Sequence, residues 1–437
     1  MSVSPWNGEQ VWTGPDTPDP AAAVARLAQD FATAPPDLQR LHNGLRCLSE
    51  VLTRRRGDLV DLLVREAGKT TLDATNEAEL LPRKIAITLD QGLALTPMAL
   101  PATGQGIVWR PRGVAVVLGP FNFPLHLLHG LVAPALAVGC PVVAKPSERT
   151  PACGALYADC IAEAGLAPWC QIVQGGAATA RALVDDQGTA TVAAVGSRGM
   201  GEALATQLSG RPEVVLALEL GGVNHALVCA DADLDRAIPA LADGAWRMAG
   251  QRCTATRVVH VPAERCEELL ARLAAERERW VPDGTPSGPM GPLIHVSAAA
   301  RFRAAWATVP ASWRTWGAGG DEAFCHPRLA LAQGDEHHLI RDEHFGPGLI
   351  VVAYRNEGEA VVRMRRNHQR LAAAVWTADR ERFVALAAQM PYGLVCHDRN
   401  TAGARSDLPF GGMGRSGNGR PAALTAGTIF ADQCVVG

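Results

Sequence analysis

The string GQRCTATR, residues 250–257, sets one cysteine, Cys253, in a loop between a predicted helix and a predicted strand. A thiol attacks a carbonyl carbon as its thiolate, and an exposed loop with Arg252 beside the sulfur is expected to favour that form. A lone cysteine is otherwise a small buried hydrophobe, so its company decides. Upstream, in LALELGGVN, Glu219 ends an apolar run and is followed by Gly221 and Gly222. A carboxylate at the end of a buried strand, beside glycines that admit neighbouring backbone, suits a desolvated general base; a helix cap or salt-bridge partner is the plainer alternative. Asn122, in GPFNFP, follows one predicted strand and precedes a helix, so its amide emerges at the carboxyl edge of a sheet, where open α/β sheets bind ligands. Turn asparagines are commonly structural. Between Phe121, Phe123 and Pro124, however, this one could hold a hydrogen-bond donor in a dry pocket. Nucleophile, base and donor together would make covalent chemistry at a carbonyl.

Such groups need rigid strand ends. From about 112 to 230 short β-rich runs (GVAVVLG, PVVAK, CQIVQG, TVAAVG, EVVLALE) alternate with helical runs, which predicts βαβ units and a mostly parallel sheet covered on both faces. After Ala230 the alternation begins again, with a helix from about Leu234 to Met248, the strand RVVHVP, a helix through Arg279 and later strands LIVVAY and AAAVWT; this predicts a second α/β lobe. Residues 20 to 70 have helical spacing, with Gly68 as a stop. The segment 95–113 places two extended arms around Gly104 and Gly106 and is expected to form a hairpin outside the lobes.

At 437 residues the chain is long enough for two or three sub-domains, and 48% hydrophobic against 19% charged residues is too apolar for disorder. A net charge of −3, with no long run of one sign, excludes an electrostatic footprint for nucleic acid. Eleven scattered cysteines without a C-x-x-C pair predict free thiols in a reducing, cytoplasmic compartment. The N-terminus lacks a basic and an apolar region typical of a secretory signal, and the longest apolar stretch, 125–144, is broken by prolines and glycines. No membrane association is expected.

Taken together, GPFNFP, VVAKPSERTP, VGSRGMG, LELGG, GQRC, EHFGPG and PFGGMGRSG, in this order from about residue 20 to the end, resemble the aldehyde dehydrogenase superfamily. The resemblance implies two Rossmann-like lobes, for cofactor binding (1–94 and 112–220) and catalysis (221–424), with an oligomerisation hairpin (95–111), a C-terminal oligomerisation strand (425–437), and a homodimer or homotetramer. It also implies that Cys253 forms a thiohemiacetal with an aldehyde and passes a hydride to a nicotinamide. Asn122 and the Cys253 backbone N–H would form the oxyanion hole, and Glu219 would activate the water that cleaves the thioester.

Lys145, Ser147 and Glu148 close the strand PVVAK, and by resemblance the lysine and glutamate hold the adenosine ribose hydroxyls. A carboxylate there repels a 2′-phosphate, which favours NAD over NADP. In GSRGMG, Gly196 and Gly201 would let backbone reach the pyrophosphate at a helix start, with Ser197 as a donor. Glu343 and Phe345, in EHFGPG, match residues that bind the nicotinamide ribose and pack near the ring. His126 with His129, and His337 and His338 with His344, lack the partners of a metal site and are expected to be satisfied or solvated imidazoles.

Within the superfamily, RKIAIT (83–88), FPLH, QLSGRPEVVLALELGG and the tail TAGARSDLPFGGMGRSGNGRPAA are most similar to succinylglutamate semialdehyde dehydrogenases. This implies a carboxylate-bearing semialdehyde as substrate, gripped by Arg405 or Arg415. Cys396, His397 and Asp398 stand where that subgroup has an asparagine-tryptophan-asparagine run near its pocket, His225 replaces a proline, Cys140 replaces an asparagine, and the start is shorter by roughly a strand pair. Two alternatives have other chemistry: transfer of the acyl group to coenzyme A, and a non-catalytic NAD-binding scaffold.

Overall fold

A computed structural model describes residues 1–437. Its framework is two sheets. The first runs, edge to edge, through Gly417–Asn418, Val215–Leu220, Thr189–Gly196, Val114–Leu118, Val142–Lys145 and Cys170–Ile172, and only the 417–418 strand is antiparallel. The second runs through Arg314–Trp316, Arg328–Ala332, Gly348–Tyr354, Thr256–Pro262, Asn224–Val228, Ala372–Trp376 and Leu394–His397, with only the 314–316 strand antiparallel. Central strands buried on both faces need apolar residues at every position, and VAVVL at 114–118 is buried throughout. Alternation still sorts them: Ala115 and Val117 join the core beneath the N-terminal helices, whereas Val114, Val116 and Leu118 join the core on the other face. The second sheet divides likewise, with Ala226 and Val228 on one face and Leu227 on the other.

The helical lead-in extends further than its spacing predicts. Helices Leu38–Arg54 and Arg56–Ala67 are separate, the second ending at Gly68 in the left-handed region (φ 70°), and a further helix runs Thr71–Asp90. Thr70 caps this last helix by accepting from the Asp73 N–H. Its buried face carries Glu77 and Lys84, and Pro82 lies inside it, so apolar periodicity does not reveal it.

Three expectations need correction. Residues 95–113 form no hairpin: only Gly106–Pro111 is a strand, and its antiparallel partner is Ala431–Val436 from the far end of the chain. The projecting element is therefore this pair; local spacing cannot disclose a partner so distant. The catalytic lobe is not continuous through 424, because 417–418 returns to border the first sheet beside Leu218 and Glu219. The start does carry a short strand pair, Ser2–Val3 with Gln10–Trp12. No helix is long and apolar enough to cross a membrane.

Candidate active site

The carboxyl ends of the strands face a cleft of about 1440 Å³, lined by Asn122, Glu219 and Cys253 together with Lys145, Ser147, Glu148, Gly196, Ser197, Glu343 and Phe345. Cys253 sits after a tight bend in which Met248, Ala249 and Gly250 all have positive φ (56°, 52° and 66°), a costly conformation for the two non-glycine residues. Buried Arg257 over-determines the bend by donating to the Gly250 carbonyl at 2.5 Å and the Gly346 carbonyl at 2.7 Å. Asn224 then donates to the carbonyls of Cys253 (2.7 Å) and Ala255 (2.8 Å), fixing the backbone that carries the sulfur. Asn122 spends one Nδ2 hydrogen on the Gln251 carbonyl at 2.9 Å, which leaves the other for the cleft.

The electrostatics differ from the sequence expectation. Arg252 turns away from the sulfur and donates to the Asp243 and Gly244 carbonyls, while burial, with Glu219 and Glu343 behind it, pushes the Cys253 thiol up to about 12. Burial first, and the acidic groups that face it second, therefore favour the neutral thiol over the thiolate. Burial likewise pushes Glu219 up to about 8, against the Gly412 N–H and Arg420, and leaves its Oε1 without a partner. Glu343 is pushed up to about 7 by burial, opposed by Arg257 and the Gly222 N–H. A carboxylate near neutrality can take a proton as readily as it returns one. The paired glycines after Glu219 have a specific purpose: a Cβ on Gly221 would lie 1.8 Å from the Glu343 carboxylate.

A model of the aldehyde dehydrogenase family matches residues 2–431. The chain belongs to the aldehyde dehydrogenase family. An N-succinylglutamate 5-semialdehyde dehydrogenase from Escherichia coli O127:H6 is 33% identical, over 99% of this chain and 90% of that protein. Among solved structures, an NAD-dependent aldehyde dehydrogenase from Sinorhizobium meliloti superposes with a TM-score of 0.92 at 24% identity, covering 100% of this chain and 90% of that one. A glyceraldehyde-3-phosphate dehydrogenase from Methanocaldococcus jannaschii, complexed with NADP, gives 0.91 at 22% identity, covering 99% and 97%. A proline utilization A (PutA) variant from Bradyrhizobium japonicum gives 0.90 at 30% identity, covering 97% of this chain and 45% of that longer one. The two-lobed fold of this aldehyde dehydrogenase is the shared one, and the chain is an oxidoreductase of the kind that acts on small aldehydes with a nicotinamide cofactor.

Not every residue singled out in the sequence reaches the cleft. The Lys145 ammonium donates to the carbonyls of Gly175 (2.8 Å) and Pro146 (3.0 Å) and lies 3.7 Å from Glu148, whose carboxylate is exposed. Ser147 is turned to its own loop, accepting from the Arg149 N–H, and Ser197 caps helix Arg198–Gln207 by accepting from Met200. Gly201 does not line the cleft; it lets this helix press on Leu220, which a Cβ would meet at 2.7 Å. Phe345 (φ 37°) meets Phe121 edge-on at 5.8 Å.

Cys396, His397 and Asp398 lie away from the cleft: Cys396 enters the second core, and His397 stacks on Phe383 at 4.4 Å. Arg415 is exposed outside the cleft, and Arg405, at its rim, is held by Asp407 at 2.5 Å. His225 pairs with His260 at 3.0 Å inside the second lobe, and Cys140 donates to the Phe430 carbonyl. His129 is satisfied by Tyr157 and the Leu81 carbonyl, His344 packs among Phe302 and Trp306, and no group of three potential metal ligands converges. Residues missed in the sequence come chiefly from helix Thr71–Asp90: Asp73, Asn76, Leu80 and Lys84 face the cleft at helical spacing, and Lys84 lies within RKIAIT.

Proposed function

We propose that this aldehyde dehydrogenase oxidises a carboxylate-bearing semialdehyde, of the succinylglutamate semialdehyde type, to the acid with NAD. The observation that carries the reading is the meeting of Cys253, Asn122 and Glu219 in one cleft, with a partnerless Glu219 oxygen. Cys253 Sγ passes its proton to Glu219, which hands it on to solvent, and bonds to the carbonyl carbon as the C=O π pair moves onto oxygen. The resulting oxyanion accepts hydrogen bonds from Asn122 Nδ2 and the Cys253 N–H, a donor pair whose single loss costs about 2.7–4 kcal/mol of barrier. The nicotinamide, when bound, supplies the hydride acceptor. Glu219 then takes a proton from water, the water oxygen bonds to the thioester carbon, and the C–S bond breaks to release the acid and the Cys253 thiolate, which regains its proton from Glu219.

The strand ends at Lys145 and Gly196 and the helix start at Ser197 suit a dinucleotide, and exposed Glu148 favours ribose hydroxyls over a 2′-phosphate. Lys145, Glu148 and Glu343 would hold the riboses. Retention of a buried base favours water over coenzyme A as the acyl acceptor. The eleven cysteines are unpaired, which fits a cytoplasmic home. A homo-oligomer would assemble through the strand pair 106–111 and 431–436, which leaves Ile107 and Val435 exposed.

The test is reduced-cofactor formation from NAD and from NADP across apolar, aromatic and carboxylated aldehydes, with Cys253→Ala alongside. Turnover of carboxylated semialdehydes with NAD, absent in the variant, is expected. Oxidation of apolar aldehydes alone would overturn the substrate class and leave the chemistry standing. Thioester formed in the presence of coenzyme A would overturn hydrolysis.

A further inference from the structure

Helix Thr71–Asp90 and helix His126–Ala137 form one wall of the cleft, and in that wall lies Lys84, with only 2% of its surface exposed. A buried ammonium normally carries a partner carboxylate, since an unpaired charge out of water is costly. Several other cations at this end have a carboxylate partner, whereas buried Arg257 is held by backbone carbonyls alone. Lys69 pairs with Glu77 at 2.8 Å, Arg247 with Asp73 at 2.7 Å and Asp243 at 3.0 Å, Arg252 with Asp243 at 3.8 Å, and Arg405 with Asp407. Lys84 has instead one backbone acceptor, the Ala423 carbonyl at 2.7 Å, which occupies one of its three donor hydrogens. Burial accordingly lowers its pKa to about 8.

Gly130 and His126 from the facing helix line the cleft together with Lys84. Gly130 lies one turn beyond His126, and a Cβ there would come no nearer than 4.0 Å to the lysine Cε. His126 lines the same wall with a buried Nδ1 that has no partner, and burial together with Lys84 and Lys69 holds its ring neutral, lowered to about 4.

Resting on the reading of the chain as a semialdehyde dehydrogenase, we infer that Lys84 and His126 are the seat for the substrate's remote carboxylate, the ammonium pairing with the anion and the imidazole donating a neutral hydrogen bond. One positive charge and one neutral donor match a monoanion; a phosphate dianion would leave a negative charge buried without a partner. Neither arginine of the tail is needed, as Arg405 is already paired and Arg415 is outside the cleft.

The experiment compares wild type, Lys84→Met and Lys84→Arg on glutaric semialdehyde, pentanal and glyceraldehyde 3-phosphate, with calorimetric binding of glutarate and pentanoate in parallel. In Lys84→Met, KM for the semialdehyde should rise about tenfold or more, the loss of one charge-assisted hydrogen bond, while kcat changes little and pentanal is handled as by wild type. Lys84→Arg should recover part of the affinity. Equal losses on semialdehyde and pentanal, or a wild-type preference for the phosphorylated aldehyde, would overturn the seat. If Lys84→Met does not fold, wild type alone decides: glutarate binding more tightly than pentanoate is expected, and equal binding overturns the seat. If wild type oxidises no aldehyde, the oxidation reading fails by itself, and the seat is judged on whether Lys84→Met weakens glutarate binding.

Discussion

The two walls of the cleft are built on opposite rules. On the wall proposed for the cofactor, the candidate residues fall on strand ends and the turns after them, where Lys145, Glu148, Gly196 and Glu219 stand in short strings of glycine, proline and polar residues. On the wall proposed for the substrate, they fall on the inward face of a helix, where Asp73, Asn76 and Lys84 are spread through residues otherwise chosen to pack. A strand end can carry chemistry without disturbing its core, so its signature is compact. A helix face that is both core and binding surface must bury charges, and each buried charge then needs local compensation. Glu77 shows this: besides pairing with Lys69 it accepts the backbone N–H groups of Leu125 and His126, and so anchors the start of the helix just beyond Asn122.

Substitutions can set the walls against each other. The largest effect is expected from Cys253→Ala, which should lower aldehyde oxidation by ~10⁴-fold or more while cofactor binding, followed by nicotinamide fluorescence, persists. Glu219→Gln comes next, with steady-state turnover down by ~10²- to 10⁴-fold and acyl-enzyme detectable by intact mass; the base must lose its proton to work, so wild-type turnover should climb as pH rises through about 8 and that rise should vanish in the variant. Asn122→Ala should lower kcat by about 10²- to 10³-fold with KM little altered, a split visible in steady-state kinetics. Gly221→Ala, whose methyl would displace the Glu343 carboxylate, should weaken the cofactor by about tenfold in a titration and spare semialdehyde affinity, which separates the walls directly.

The smallest effect concerns pH and folding. His225 and His260 are each held neutral by burial, His225 down to about 3. The unfolded chain would take up these protons near pH 6.5, so their stabilising contribution is complete above that value and falls as pH drops below it. Thermal melts should therefore decline on acidification from about pH 6.5, and His225→Leu should flatten part of that decline.

Much of the fold was legible because parallel strands leave near-continuous apolar runs, and VAVVL, TVAAVG and RVVHVP fall within observed strands. Cys253, Glu219 and Asn122, which meet in one cleft, likewise stand in compact strings at strand ends and turns. What escaped is what sequence neighbours cannot report. Arg252 adjoins Cys253 in the chain yet points elsewhere, whereas the thiol's pKa is raised first by burial and then by Glu219 and Glu343, which lie far away in sequence. At 396–398, correspondence with the subgroup's pocket run did not bring the residues to the cleft, because strand alternation sends Cys396 into the core and His397 onto Phe383. The strand at 106–111 found its partner at 431–436, at a separation no turn signal spans.

The return of the tail to the first sheet has a bearing on biosynthesis. Glu219 lies on a strand whose outer neighbour is Gly417–Asn418, and the Leu218 N–H donates to Asn418 Oδ1 at 2.7 Å. While the ribosome is still making the second lobe, that strand has an open edge, free to recruit any passing β-segment. Only when the tail emerges is the edge closed and Glu219 enclosed, so a nascent chain of this protein is exposed to mispairing beside the residue proposed as its base.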